Sequence, residues 1–546
     1  MVVSAYFTIA LNIPFFSKVY AYLWDLEQSN LLFWIVIPLV AFAIFLFLLT
    51  ILLPPKADKA VAALLILSSA MISWMEWNYG ITFDHTMLDN AVQTNAQEAK
   101  TYLSMGSVSY VMLLGVIPAM GVMLTRIEYG SWRSELKQRL SILVASLAVV
   151  VVAAGGFYKQ FADTGRNLEH VHQLLVPNQF IYSVGKFAKA SFWPSNTPFK
   201  DLTLNAAHEH HSKTPELMVL LLGETARADH FQWNGYKRDV NRYTEADDFI
   251  NLGTVESCGT STAVSVPCMF SLLTSGEYSK SEARNQSNVL DIIAATDINV
   301  LWIDNNNGCK GVCDHVPRKQ IPTDASHPLC DGDYCYDGIL LEELDAVLAK
   351  GIEQDTLIVL HMIGSHGPTY YRRYPDAFRA YLPECARSDI QNCSDEEIIN
   401  TYDNTLLYTD YVIAKSVELI NYHMPSSPSG VLYISDHGES LGEHGLFLHG
   451  MPKRLAPREQ FTVPELLWLS GEFKETLTLD NDCLGGLAKN KILSQDNFSH
   501  TLLGLLSVST GVYNEHLDAL SDCYSAEHRM QMSSKRSIAT DEGSHS

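Results

Sequence analysis

The fold of the C-terminal part of the chain is decided by residues 218–227, MVLLLGETAR. Five uncharged apolar residues are followed at once by a glycine, by Glu224 and, soon after, by Arg227. Short uncharged runs of this kind are typical of strands that are covered on both faces. Similar runs occur farther along the chain at 300–303, 357–360 and 431–434. The pattern predicts an α/β domain with a mostly parallel sheet.

Polar side chains follow three of these runs, at the points where the predicted strands end. Glu224 follows the first run, His361 and His366 follow the third, and Asp436 and His437 follow the fourth. The carboxyl ends of parallel strands meet at one edge of a sheet, and ligands bind there. Carboxylate oxygens and imidazole nitrogens are suitable ligands for Zn²⁺ or Mn²⁺. The sequence therefore predicts a metal site at this edge.

A cluster of hydroxyl side chains lies between the first and second predicted strands, in residues 257–268, SCGTSTAVSVPC. A Ser or Thr alkoxide at the start of a helix is a good nucleophile when the helix dipole and a metal ion stabilise its charge. A disulfide between Cys258 and Cys268 would hold this turn rigid. The alternative is an ordinary hydroxyl cap at a helix N-terminus. The predicted metal site favours the nucleophile, but the residues alone leave the choice among three neighbouring hydroxyls open.

The N-terminal part of the chain contains long runs without charged residues. The 546-residue chain is 47% hydrophobic and only 18% charged. Runs 31–53, 101–125 and 140–158 are long enough to cross a bilayer, and the shorter runs 1–17 and 60–75 complete five predicted spans. Basic residues are concentrated in the loops between spans two and three and between spans four and five. These loops are therefore predicted to be cytoplasmic, and everything after residue 158 external.

Charge and cysteine content restrict the possible functions. There are 38 Lys and Arg residues against 61 Asp and Glu residues, and the net charge of −23 argues against nucleic-acid binding. All ten cysteines lie beyond residue 250. An even number confined to the predicted external part indicates disulfides in an oxidising compartment, and we expect them to join neighbours in the sequence. The sequence contains no CxxC pair, so a zinc ribbon is not predicted.

These patterns divide the chain into four predicted segments. Residues 1–158 form a transmembrane domain of five helices, and residues 159–213 form a connector along the membrane surface. Residues 214–525 form the external catalytic domain, and the Ser-rich residues 526–546 are predicted to be a disordered tail. The first apolar run starts without a basic tail, so we expect the beginning of the first helix to be clipped.

Seven motifs, taken in order, resemble those of one family. They are GETARADH from residue 223, SCGTSTAVSVPCMFS from 257, DNNNGCKGVC from 304, SHGP from 365, YDNTLLYTD from 402, SDHGESLGEHG from 435 and LHGMP from 448. The motifs resemble the phosphoethanolamine transferases of Gram-negative inner membranes, in particular the lipid A enzymes linked with polymyxin resistance. The resemblance covers nearly the whole chain. It implies that the external domain is an α/β/α sandwich like that of alkaline phosphatases and sulfatases.

The resemblance also implies roles for individual residues. The zinc ligands would be Glu224, Thr262, Asp436 and His437. Thr262 would in addition be the nucleophile. The other catalytic residues would be His366, His449, Lys310 and Glu439. The two histidines and the lysine resemble residues that contact the phosphate group in the family, while Glu439 is expected to orient a ligand.

The substrate contacts implied by the resemblance include residues of the loop between spans three and four. Asn90, Thr94 and Glu98 stand at positions i, i+4 and i+8, so one helix face would present all three to an ethanolamine headgroup. Asn307 stands where the family often has Ser and is expected to hydrogen-bond to the substrate. Lys310, His366 and His449 would bind the same substrate.

The implied reaction is zinc-dependent transfer of phosphoethanolamine from phosphatidylethanolamine to a phosphate of lipid A, through a phosphoethanolamine-threonine intermediate. Such a transfer lowers the negative charge of the outer membrane and weakens polymyxin binding. The chain would be a monomeric, multi-pass inner-membrane protein with its catalytic domain in the periplasm. The alternatives are transfer to lipopolysaccharide core or another periplasmic acceptor, a membrane-bound phosphodiesterase or sulfatase, and a non-enzymatic receptor with a degenerate domain.

Overall fold

The structure is a computed structural model that describes residues 1–25, 30–94, 96–168, 171–192, 198–209, 212–246, 248–490 and 493–533. The chain divides into two compact units. The first comprises Met1–Val92 and Tyr102–Trp193, and the second comprises Gln93–Thr101 and Pro194–Ser546. Glu98 therefore belongs to the same unit as the motifs of the C-terminal part.

The N-terminal part of the chain is helical. Its described helices are α1 (Val2–Tyr6), α2 (Ile13–Asp25), α3 (Leu31–Leu52), α4 (Asp58–Tyr79), α5 (His85–Gln93), α6 (Ala96–Thr101), α7 (Met105–Val111), α8 (Ile117–Leu124), α9 (Trp132–Gly156), α10 (Tyr158–Asn167) and α11 (Asn178–Phe192). A π-helical turn, Met112–Val116, joins α7 to α8. Four helices are long and apolar enough to cross a membrane, namely Leu31–Leu52, Asp58–Tyr79, Met105–Leu124 and Trp132–Gly156.

The fifth predicted span is a bent pair of helices. Val2–Leu11 and Ile13–Trp24 are inclined to each other by 59°. Asn12 lies at the bend, where its buried side-chain amide donates hydrogen bonds to the carbonyl oxygens of Phe7 (2.9 Å) and Val176 (2.7 Å). An Asn side chain that binds carbonyl oxygens competes with the hydrogen bonds of a helix. The described residues thus contain four helices long and apolar enough to span a membrane, or up to five spans if the bent pair is counted as one.

The second unit is built around an eight-stranded sheet. The strands in the described part of the chain are β1 (Ala207–His208), β2 (Leu217–Gly223), β3 (Ile250–Glu256), β4 (Asn299–Asp304), β5 (Arg318–Gln320), β6 (Thr356–His361), β7 (Ser429–Ser435), β8 (Ser440–Leu441), β9 (Phe447–Leu448), β10 (Thr462–Leu469), β11 (Leu493–Ser494) and β12 (Val508–Ser509). The order in the large sheet is β11-β3-β10-β7-β2-β6-β4-β5. β10 is antiparallel to both its neighbours, and the other pairings described in this sheet are parallel.

The four apolar runs of the sequence are confirmed as strands. They correspond to β2, β4, β6 and β7, which are neighbours in the order β7-β2-β6-β4. Every residue of β2, β6 and β7 is buried. Because these strands are parallel, their carboxyl ends lie at one edge of the sheet, as the predicted metal site requires.

Helices cover the sheet on both faces. They are α12 (Thr262–Met269), α13 (Lys280–Arg284), α14 (Val289–Ala294), α15 (Gly338–Leu348), α16 (Asp395–His423), α17 (Gly471–Thr476), α18 (Asn481–Asn490), α19 (Phe498–Leu505) and α20 (Ala526–Ser533). On one face, Leu220 of β2 belongs to the same buried cluster as Val266 of α12, Ile292 of α14 and Leu502 of α19. α15 packs against α16, which in turn contacts β7. The predicted α/β/α sandwich is confirmed.

Two predictions about the C-terminal part have different outcomes. All ten cysteines form disulfides between sequence neighbours, as predicted, at 258–268, 309–313, 330–335, 385–393 and 483–523. The predicted disordered tail is wrong for its first part, because residues 526–533 form α20. Met532 of this helix is buried in the core cluster, which explains why the segment is helical despite its polar composition. Residues 534–546 lie outside the described residues.

Candidate active site

Three side chains from two strand ends form a compact buried group. Glu224 directly follows β2, and Asp436 and His437 directly follow β7. One potential ligand atom from each lies within 4.8 Å of the others. His437 Nε2 is 3.2 Å from a Glu224 oxygen and 3.4 Å from an Asp436 oxygen, and all three side chains are buried. The structure therefore brings these three predicted ligands together.

The electrostatics of this group favour a bound cation. Oδ2 of Asp436 is buried and has no hydrogen-bond partner among the described residues. Burial, together with the neighbouring Glu224, raises the pKa of Asp436 to about 6. Burial lowers the pKa of His437, but the Asp436 and Glu224 carboxylates outweigh it and raise this pKa to about 10. Two carboxylates and an imidazole, with one carboxylate oxygen that makes no hydrogen bond among the described residues, fit a metal ion that takes oxygen and nitrogen ligands.

The hydroxyl of Thr262 contacts the same group. Thr262 is the first residue of α12, and its Oγ1 donates to the Glu224 carboxylate, at 3.1 and 3.2 Å from the two oxygens. It also lies 3.4 Å from His437 Nε2. The nearby Thr260 hydroxyl donates instead to the carbonyl oxygen of Met451. Among the candidate hydroxyls, Thr262 is thus placed beside the potential ligands and at a helix N-terminus.

Two further histidines lie beside this group. His366 and His449 can form a second set of ligands with Glu224, and their ring centroids are 5.4 Å apart. The His449 ring is also 4.4 Å from that of His437. Burial lowers the pKa of His366 to about 3. His449 Nδ1 lies 3.2 Å from a carboxylate oxygen of the fully buried Glu439, which fixes the orientation of the ring.

Glu98 lies next to these histidines. Its Oε2 accepts a hydrogen bond from Asn307 Nδ2 at 2.8 Å, and its Oε1 is 3.6 Å from His366 Nε2. Burial raises the pKa of Glu98. Lys310 adjoins the cluster, since its Nζ donates to the carbonyl oxygen of Asn307 at 2.9 Å. The structure therefore groups Glu98, Asn307, Lys310 and His366, which the sequence analysis assigned to the substrate.

The predicted helix face made by Asn90, Thr94 and Glu98 is wrong. Asn90 lies in α5 and Glu98 in α6, while Thr94 lies between the two helices. Thr and Asn side chains bond to nearby backbone and favour breaks in helices, and the segment contains both types around Thr94. Asn90 also belongs to the first compact unit, whereas Thr94 and Glu98 belong to the second.

Several residues that support the site were missed by the sequence analysis. Asn306 Nδ2 donates to Glu224 Oε2 at 2.8 Å and so holds this carboxylate from the end of β4. Gly364 has a φ of +49°, and a Cβ there would lie 2.6 Å from the carbonyl oxygen of Glu224. Arg373 is buried and donates from Nε to the carbonyl oxygen of His366 at 2.8 Å. Asn306 could have been found from the sequence, because it comes shortly after a predicted strand, as Glu224 does.

Comparison with known proteins identifies the family. Residues 216–508 match the family model described as Sulfatase, and residues 41–192 match the one described as Phosphoethanolamine transferase EptA/EptB. The chain is 37% identical to phosphoethanolamine transferase EptA of Escherichia coli (strain K12), over 96% of both chains. The chain belongs to the phosphoethanolamine transferase family.

Other members of the phosphoethanolamine transferase family extend this relationship. The chain is 36% identical to phosphatidylethanolamine transferase Mcr-1 of Escherichia coli, over 93% of this chain and 94% of that one. The structure of the integral membrane protein lipooligosaccharide phosphoethanolamine transferase A (EptA) from Neisseria meningitidis matches with a TM-score of 0.89 and 35% identity. That match covers 95% of this chain and 97% of the other. The N-terminal helices accordingly lie in the inner membrane, and the sulfatase-like domain lies in the periplasm.

Proposed function

We propose that this protein transfers phosphoethanolamine from phosphatidylethanolamine to a phosphate of lipid A, with a zinc ion bound at the site. The observation that carries the proposal is the Thr262 hydroxyl, which lies within 3.4 Å of both Glu224 and His437 at the start of α12. The identity of the transferred group is supported by relatives that match over nearly the whole chain. They are named as phosphoethanolamine or phosphatidylethanolamine transferases. Donor and acceptor are both lipids, so a membrane-anchored domain would encounter them by diffusion along the membrane surface.

Glu224, Asp436, His437 and the Thr262 oxygen are the residues that would hold zinc. When bound, zinc would lower the pKa of the Thr262 hydroxyl and stabilise negative charge on the phosphoryl oxygens. The buried Oδ2 of Asp436 makes no hydrogen bond among the described residues and lies 3.4 Å from His437 Nε2, an arrangement that a shared metal ion would satisfy.

The chain's own residues would act in two displacements. In the first, Oγ1 of Thr262 forms a bond to the phosphorus of phosphatidylethanolamine, and the bond to the diacylglycerol oxygen breaks. His449, which is outside the proposed ligand set, takes up the proton lost by Thr262 and passes a proton to the departing diacylglycerol oxygen. The N-terminal dipole of α12 stabilises the Thr262 alkoxide. In the second displacement, a phosphate oxygen of lipid A attacks the same phosphorus and releases Thr262.

The remaining residues would position the donor. The Glu98 carboxylate, held by Asn307, is a suitable partner for the ammonium of the ethanolamine headgroup. Lys310 is a suitable partner for the phosphate, which His366 also contacts in this arrangement. Glu439 acts through His449, whose ring it orients.

The proposal is tested by lipid A mass spectrometry on cells that express the full chain. Cells with the wild-type protein should contain lipid A carrying phosphoethanolamine and should tolerate more polymyxin. Thr262→Ala should abolish both effects, whereas Ser261→Ala removes a neighbouring hydroxyl and should retain them. Unmodified lipid A with the wild type, or full modification with Thr262→Ala, would contradict the proposal.

A further inference from the structure

A cavity of about 520 Å³ in the second unit shares one residue, Lys310, with the group proposed to bind the donor. α12 begins at Thr262 and contributes Pro267 to the wall of this cavity. Five residues of α-helix separate these two positions by about 7.5 Å along the helix axis. Lys310 also lines the cavity. The cavity therefore begins a short distance along α12 from the proposed nucleophile.

The wall of this cavity is basic, although the chain as a whole carries a net charge of −23. The cationic side chains that line it are Lys280, Arg284 and Lys310. The lining also contains Asp291 and Asp314, but both have partners. Asp291 contacts His315 at 3.1 Å, and Asp314 accepts a hydrogen bond from Arg318 at 3.0 Å. Within the described part of the chain Arg284 makes neither an ion pair nor a side-chain hydrogen bond, so the wall retains positive charge that suits an anion.

Neutral polar groups lie beside these cations. Ser271, Gln286 and Asn288 line the same cavity. Gln286 is buried and donates from Nε2 to the Ser271 hydroxyl at 3.3 Å, while Asn288 donates from Nδ2 to the carbonyl oxygen of Val312 at 2.9 Å. Fixed amide and hydroxyl groups next to a cluster of cations form the kind of surface that binds a phosphorylated sugar.

Lys310 links this cavity to the residues proposed to bind the donor. Its Nζ donates to the carbonyl oxygen of Asn307, and the side chain of Asn307 donates to Glu98. The donor headgroup ends in an ammonium, which matches the Glu98 carboxylate. The acceptor presents a phosphate monoester, which matches Lys280 and Arg284 in the lining of the cavity.

We propose that the basic cavity binds the phosphorylated glucosamine of the acceptor, with Lys280 and Arg284 holding its phosphate. This acceptor site rests on the proposed function, and it specifies where the second substrate, lipid A, binds. In the second displacement, an oxygen of the bound phosphate forms the new bond to the phosphorus on Thr262. The bond from phosphorus to Thr262 Oγ1 breaks, and the threonine oxygen takes up the proton that the acceptor phosphate loses.

The test separates the two displacements in the purified full-length protein. The variant Lys280→Gln/Arg284→Gln is compared with Lys350→Gln/Arg529→Gln, which makes the same charge change at exposed residues outside the cavity lining. Each protein is first incubated with phosphatidylethanolamine alone, and phosphoethanolamine on Thr262 is measured. Lipid A is then added over a range of concentrations, and the transfer rate is recorded.

The cavity variant should load Thr262 as the wild type does, but its KM for lipid A should rise about tenfold or more, as expected for lost charge-assisted hydrogen bonds. The control variant should behave as the wild type. Soluble glucosamine 1-phosphate should inhibit transfer by the wild type and the control, and inhibit the cavity variant about tenfold more weakly. That result would assign the effect to the phosphorylated sugar rather than to the acyl chains.

Two results would overturn the acceptor-site assignment and leave the proposed function intact. They are normal loading with an unchanged KM for lipid A, and equal inhibition of all three proteins by glucosamine 1-phosphate. Loss of Thr262 loading in the cavity variant would also contradict it, because the cavity would then serve the donor or the fold. If the wild type itself carries no phosphoethanolamine on Thr262, the proposed function fails, and the acceptor site fails with it.

Discussion

The hydroxyl of Thr262 donates a hydrogen bond to the Glu224 carboxylate, with 3.1 Å between Oγ1 and Oε2. Thr262 opens α12 and Glu224 follows β2, so the contact joins a helix start to a strand end. His437 lies within 3.4 Å of Thr262 Oγ1 and 3.2 Å of a Glu224 oxygen. The proposed nucleophile, which is half-buried, therefore contacts the buried group of proposed metal ligands.

Removal of one carboxylate from this group should release the metal. Glu224→Gln takes away a charged ligand, and the zinc content of the purified protein should fall to the level of a chelator-treated sample. Glu439→Gln is the matched control, since Glu439 is equally buried and also contacts a histidine, yet it is not part of the three-residue groups that could hold a metal. The measurement is elemental analysis of both variants. Equal zinc content in Glu224→Gln and the wild type would refute the ligand assignment.

Glu439→Gln should impair the chemical step without impairing donor binding. The substitution weakens the interaction that orients the His449 ring, so kcat should fall by about 10- to 100-fold. The KM for phosphatidylethanolamine should change little, because Glu439 acts through His449. Steady-state kinetics with both variants Glu439→Gln and Glu439→Asp check this, and the shorter carboxylate should restore part of kcat. A rise in KM at constant kcat would show that Glu439 contributes to donor binding instead.

The buried Glu465 should make the stability of the fold depend on pH. This effect does not involve the active site. It lies in β10, where burial raises its pKa to about 8 from an ordinary 4.5. The folded state thus keeps a proton that the unfolded state loses, and stability falls as the pH rises from about 4.5 to 8. The slope is at most about 1.4 kcal/mol per pH unit for one group.

Glu465→Gln should remove this contribution. Its melting temperature in detergent should exceed that of the wild type at pH 8.5, and the difference should shrink towards pH 5. Thermal unfolding of both proteins across this range makes the comparison. If the melting temperatures of the two proteins change by the same amount with pH, Glu465 is not the group responsible for the pH dependence.

The strands at the centre of the sheet could be predicted because their sequences are uncharged. Every residue of β2, β6 and β7 is buried, as is most of the apolar run of β4. β10 was not predicted, because its apolar run is interrupted by Glu465, which is buried in the protein. β5 was not predictable either, since its residues Arg318, Lys319 and Gln320 are all exposed.

Residues of the site could be predicted from the sequence where they directly follow a predicted strand. That position marked Glu224, Asp436 and His437 together with His361 and His366. The assignment of the three as ligands, and the choice of Thr262 among neighbouring hydroxyls, needed the family resemblance. The arrangement of Glu98 could not be read from helical spacing, since the helix breaks before it at Thr94. Its actual partners, Asn307 and His366, lie more than two hundred residues away in the sequence and meet it only through tertiary structure.

The central claim is that Thr262 carries phosphoethanolamine between the two substrates. It is tested most directly by incubating the purified full-length protein with phosphatidylethanolamine and no acceptor, and then analysing the Thr262 peptide by mass spectrometry. The account predicts phosphoethanolamine on Thr262, its disappearance when lipid A is added, and its absence in Glu224→Gln. An unmodified Thr262 peptide in a preparation that transfers phosphoethanolamine to lipid A would contradict it.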